Sequence, residues 1–152
     1  MPRWPEGEAW MKEQSAKDLK PELLEGKVKL PTGELTLKEL QGILKLLDVD
    51  ITFIDKDDIL RYFINEGKIF SRPLSALGRE VYNCHPPEII PVVRQLLLDF
   101  KAKKRTHMEV YRRIMGRPVG VRYAAVYDAD GEYMGAVEFG QDYQKARDKF
   151  QK

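Results

Sequence analysis

The stretch DVDITFIDKDDILRYF (48–63) decides the fold. Apolar and aromatic residues cluster on both sides of Asp55-Lys56-Asp57-Asp58, a break too short and too charged to be a buried crossover. The pattern predicts a β-hairpin, Ile51–Ile54 and Ile59–Phe63, with Asp and Lys in its connection. The rest of the chain has to cover, extend or close this sheet.

Upstream, Thr36 followed by Glu39 is a capping-box signature, in which the hydroxyl and the carboxylate each meet a free backbone N–H. Leu37, Leu40, Ile43, Leu44 and Leu47 recur at helical spacing, so an amphipathic helix is expected over 36–47. Residues 1–34 are broken by Pro2, Pro5, Gly7, Pro21, Gly26, Pro31 and Gly33. They read as a helical leader with one helix over Glu8–Leu19 and a short turn at Glu22–Glu25. Trp4, Trp10, Met11 and Leu19 are expected to lie against the main domain or a second subunit.

Downstream, 66–87 is irregular, with room for one or two helical turns in Ser71–Leu77. A helix then runs from about Glu88–Ile90 to Lys101, Pro91 falling in its first turn. Its buried stripe is expected to be Val92, Val93, Leu96 and Leu97. Three strands follow, Thr106–Ile114, Val119–Tyr127 and Tyr133–Phe139, turned by Gly116-Arg117-Pro118 and Asp128-Ala129-Asp130-Gly131. Val119, Val121, Tyr123, Ala125 and Tyr127 share one face by period-two alternation. Asp142–Phe150 reads as a closing helix. The order makes an α+β domain: a five-stranded, mainly antiparallel sheet covered by helices, with an N-terminal helical appendage. The expected divisions are a leader at 1–34, the domain at 35–142 and a C-terminal helix at 143–152.

The chain has 152 residues, 43% hydrophobic and 33% charged. It has no stretch of 18 or more apolar residues and no signal-peptide pattern, so a membrane span is excluded and a cytoplasmic location is expected. The single cysteine, Cys84, rules out an internal disulfide. Lys and Arg total 26 against 24 Asp and Glu, a balance that argues against nucleic acid as partner. The basic run from Arg94 to Arg122 does not change this, because strand alternation sends Arg112 and Arg113 to opposite faces.

The stretches VDITFIDKDDILRYF (49–63), IFSRPLSALGREVYNCHPPE (69–88), VRYAAVYDADGEYMG (121–135) and EFGQD (138–142) resemble a PAS domain. The resemblance runs from about Leu40 to Gln141 and is nearest to the variety found with DUF438 and hemerythrin-like proteins. It implies a sensory module that encloses a small molecule, haem or flavin, or nothing, and that dimerises through the helix at 36–47. A signalling protein would be the partner that receives its output.

The candidate pocket residues are Tyr62, Cys84, His85, Arg112, Arg122, Tyr123 and Phe139. His85 stands open to three readings: a hydrogen bond within a turn, a pocket contact, or an axial ligand to haem. Cys84 and His85 are too few for a tetrahedral metal site. Flavin photochemistry is disfavoured, since Glu80-Val81-Tyr82 interrupts the Gly-Arg-Asn-Cys-Arg motif that the photoreceptive PAS variety carries. Arg112 or Arg122, if inward, would pair with an anionic ligand. No phosphate loop or metalloprotease motif is present, so an enzyme is not expected. The leading expectation is a small-molecule-sensing or protein-interaction module acting as a homodimer. A haem sensor and a ligand-free interaction domain remain the alternatives.

Overall fold

The computed structural model describes residues 25–64, 69 and 72–151, and within these not the Cys84 side chain. The expected leader helix at Glu8–Leu19 lies outside the described residues. Two strands, β1 (Lys27–Leu30) and β2 (Gly33–Thr36), instead open the described chain as an antiparallel hairpin across Pro31-Thr32. No element is expected over 26–34 from the sequence: Val28, Leu30 and Leu35 flank Pro31-Thr32, and the proline that reads as a break is in the hairpin's turn, with Gly33 opening β2.

Helix α1 (Leu37–Leu46) starts at Thr36 with the reciprocal capping box in place. Glu39 N–H donates to Thr36 Oγ1 at 3.0 Å, and Thr36 N–H to Glu39 Oε1 at 2.8 Å. The helix buries none of its residues, and Leu46 is 84% exposed.

The main sheet has the order β4-β3-β7-β6-β5, every pairing antiparallel. Its strands are β3 (Asp50–Asp55), β4 (Leu60–Phe63), β5 (His107–Ile114), β6 (Arg117–Tyr127) and β7 (Tyr133–Asp142). The 48–63 hairpin is as its sequence predicts. Asp55 organises its turn, its Oδ1 accepting from the N–H groups of Asp57 and Ile59, while Asp58 adopts φ +64°. Asp128 does the same before β7, accepting from Asp130 and Glu132.

Among the described residues between β4 and β5 come the 3-10 turns Leu74–Ala76 and Val81–Cys84 and then helix α2 (Ile90–Lys101) with Pro91 in its first turn. Leu96, Leu97 and Phe100 of α2 pack on Ile54, Val81 and Ala136, which forms the main core. Val92 departs from the expected buried stripe. It is 61% exposed, because its side of the helix looks along the mouth of a cavity rather than onto the sheet. Tyr127 Oη donates to the Phe100 carbonyl at 2.6 Å and ties the end of β6 to the end of α2. Helix α3 (Gln144–Phe150) closes the described chain. Among the described residues no helix is long and apolar enough to cross a membrane.

Candidate ligand-binding site

Strand alternation decides what faces α2. Thr52 pairs with Glu138, Glu138 with Tyr123 and Tyr123 with Met108, so these four form one rung across the sheet. The next rung carries Gly140, Val121 and Val110, and the one beyond it Val119 and Arg112. Above these rungs lie α2 and the loop before it. Between them is a cavity of about 450 Å³, within the range of small-molecule sites. Val93, Leu96, Leu97 and Phe100 form its helical wall, and Met108, Val110 and Val121 its sheet floor.

A small set of polar groups reaches this apolar space. Arg72 Nε donates to Thr52 Oγ1 at 3.1 Å, and its Nη2 stands 3.7 Å from Glu138 Oε1 with both side chains largely buried. His85 Nδ1 is 2.8 Å from the Val81 carbonyl. Burial lowers the His85 pKa, outweighing that hydrogen bond, so the imidazole is neutral. A carbonyl can only accept, which puts the proton on Nδ1 and leaves the Nε2 lone pair bare. The Tyr123 phenol makes no hydrogen bond among the described residues, and burial raises its pKa well above the usual range. Arg112, on the edge strand, likewise has no ion pair or hydrogen bond among them.

His85, Arg112 and Tyr123 of the sequence candidates are thus brought together. Arg122 and Phe139 are not. Each adjoins an inward residue, Tyr123 and Glu138 respectively, so alternation sends it to the other face, where both line an open groove with Tyr111 and Tyr143. Tyr62 pairs with Phe53 on that outer side as well. The Cys84 side chain lies outside the described residues. Sequence reasoning missed Arg72, Glu138 and Thr52. Parity along β7 was the available signal for Glu138, a carboxylate in line with core-facing Ala136. For Arg72, in an irregular loop, no signal existed.

The sequence profile of the PAS domain family matches residues 40–144. The chain belongs to the PAS domain family. This PAS domain is similar to the crystal structure of a C-terminal domain from Streptococcus mutans, with 29% identity and a TM-score of 0.76. That match covers 83% of this chain and 98% of the other. It also resembles the PAS domain of BvgS from Bordetella pertussis at 16% identity and TM-score 0.54, over 76% of this chain and 91% of that one. A PAS domain from Colwellia psychrerythraea shares 14% identity at TM-score 0.50, over 72% and 98% of the two chains. The latter two likenesses speak to the fold alone. No curated protein matches the chain. Family membership makes this a regulatory or sensory module rather than a catalyst.

Within the PAS domain, the YNCHPPE stretch (82–88) supplies one wall of the cavity through His85, Pro86 and Glu88. The segment that best marks the family resemblance therefore also shapes the candidate site.

Proposed function

We propose that this PAS domain senses a small molecule held in the cavity between α2 and the sheet. The supporting observation is a pocket of about 450 Å³ whose walls are apolar and into which only a few polar groups point, Tyr123 and Arg112 among them without partners. Arg112 is exposed and Tyr123 partly buried, so a ligand can take up their donors without first breaking a bond within the protein. We read the domain as nearest to the PAS variety found with DUF438 and hemerythrin-like proteins, on the YNCHPPE stretch. Its output goes to a signalling partner or into self-association, and α1, which leaves Ile43 and Leu46 exposed, is the element we assign to a homodimer contact.

A second reading is haem. It is favoured by the bare Nε2 of a neutral His85 at the cavity wall, which is the atom and protonation state an axial ligand needs. In that case His85 would hold the iron, and the group would supply gas or redox sensing.

An absorption spectrum and native mass spectrometry of the purified protein test both readings. A colourless sample that carries a discrete bound mass supports the metabolite sensor. An intense violet band that is lost in His85→Ala supports haem instead. Protein that binds nothing, alone or after exposure to a metabolite library, overturns both.

A further inference from the structure

Arg112 differs from the other arginines of the sheet in making neither an ion pair nor a hydrogen bond among the described residues. Arg117 is engaged by Asp142, Arg122 faces Glu109 at 4.0 Å, Arg61 sits 2.5 Å from Asp55, and Arg113 donates to the Gly116 carbonyl at 3.2 Å, while Arg72, in the loop, is engaged by Thr52 and Glu138. Arg112 lines the cavity and has no counter-charge among the described residues.

Its place in the sheet gives the cavity a direction. Inward from Arg112 along β5 come Val110 and then Met108, opposite Val121 and Tyr123. Val121 in turn pairs with Gly140, which presents no side chain, so the rung is apolar and open from Val110 to Gly140, and only its far end, at buried Asp50, carries a charge. At about 3.4 Å per residue, Arg112 and Met108 are roughly 14 Å apart. The deep end is closed by the Arg72–Glu138 pair, whose charges already offset each other.

Resting on the ligand-sensing reading, we propose that the cavity takes an amphipathic monocarboxylate, its carboxylate on Arg112 and its apolar body on Val110, Val121, Val93 and Leu97. A guanidinium presents its donors as a planar fork that matches a carboxylate bidentately. Only one anionic group is accommodated. A second carboxylate at the deep end would find the Arg72 guanidinium already engaged by Thr52 and Glu138, and one at the α2 side of the mouth would meet Glu88. Deep in the site the Tyr123 hydroxyl is available to a ligand acceptor.

Calorimetric titration of the full chain with octanoate, octan-1-ol and octylammonium tests this. Octanoate is expected to bind at least tenfold more tightly than octan-1-ol. Arg112→Gln should remove that advantage and leave octan-1-ol binding unchanged, Arg112→Lys should keep part of it, and Arg122→Gln, on the other face, should have no effect. Equal binding of octanoate and octan-1-ol, or equal loss in Arg112→Gln and Arg122→Gln, overturns the carboxylate assignment and leaves the cavity as a neutral-ligand site. No binding of any of the three overturns the assignment and counts against the cavity reading as well.

Discussion

Lys101, in the last turn of α2, holds its ammonium 2.9 Å from the Asp58 carboxylate at the tip of the β3–β4 hairpin. The Tyr82 hydroxyl donates to the same carboxylate at 2.8 Å, and burial together with that bond pushes the phenol up to about 12. Three segments distant in sequence are pinned at one side chain.

Asp58→Ala should therefore cost about 2–3 kcal/mol, from the lost pair, the orphaned phenol and the left-handed backbone that Asp tolerates better than Ala. Asp58→Asn keeps an acceptor for Tyr82 and the same backbone tolerance, so it should cost only about 1 kcal/mol. Urea unfolding of the two variants checks the order. Equal losses would mean that the ion pair, and not the turn, carries the effect.

Gly135 and Gly120 should respond differently to alanine although both are buried in the sheet. A Cβ on Gly135 would fall 2.2 Å from the Ile54 carbonyl oxygen, and its φ is +151°. Backbone cannot step aside, so Gly135→Ala is expected to lose about 3 kcal/mol or more. On Gly120 the clash is with the Tyr143 and Tyr111 rings, and Tyr111 is 67% exposed and able to swing into solvent. Gly120→Ala should stay within about 1 kcal/mol of wild type, read from denaturation midpoints.

Arg72 and Glu138 form a buried pair of the kind that is expensive to halve. Arg72→Met should destabilise by about 3 kcal/mol, since it leaves the Glu138 carboxylate without its partner in the core, and Glu138→Leu by less, since Arg72 keeps its bond to Thr52. The double variant should recover most of that loss. A double-mutant cycle in guanidinium measures the coupling, and additive losses would show that the 3.7 Å separation is too long to couple the two.

His85 sets a pH dependence. Its pKa is lowered in the folded protein, chiefly by burial, so the unfolded chain takes up the proton first as pH falls. Full stability should hold above the unfolded value near 6.5, decline as pH drops from there toward the folded value, and level off below it. His85→Gln should flatten this part of the profile, measured as urea midpoints between about pH 7.5 and 5. A slope unchanged by the substitution would place the proton uptake elsewhere.

What the sequence revealed follows from how local each signal is. The capping box at Thr36 and Glu39 and the β3–β4 hairpin are written in adjacent residues, and both are found as read. The β1–β2 hairpin was not legible, because Pro31 and Gly33 signal a turn without saying what flanks it. The choice between Arg112 and Arg122 needed one further step. With Tyr123 inward, parity already placed Arg122 outside, whereas Arg112 could be assigned only through its register with Val119. The Arg72–Glu138 pair joins a loop to the sheet's central strand, a relationship that no spacing in the chain encodes.

The register of β3 against β7 has a mechanical meaning. Asp50, where α1 feeds into the sheet, pairs with Gly140, close to where β7 leaves for α3. A pull through α1 and α3 therefore loads a single end of this ladder, and its hydrogen bonds meet the force in succession, as a zipper does, and not all together in shear. The domain should yield to tension on its flanks at low force. Peeling would begin at Asp50, whose carboxylate also accepts the Ile69 N–H at 2.8 Å, so the first step of opening would also release Ile69 from the end of β3.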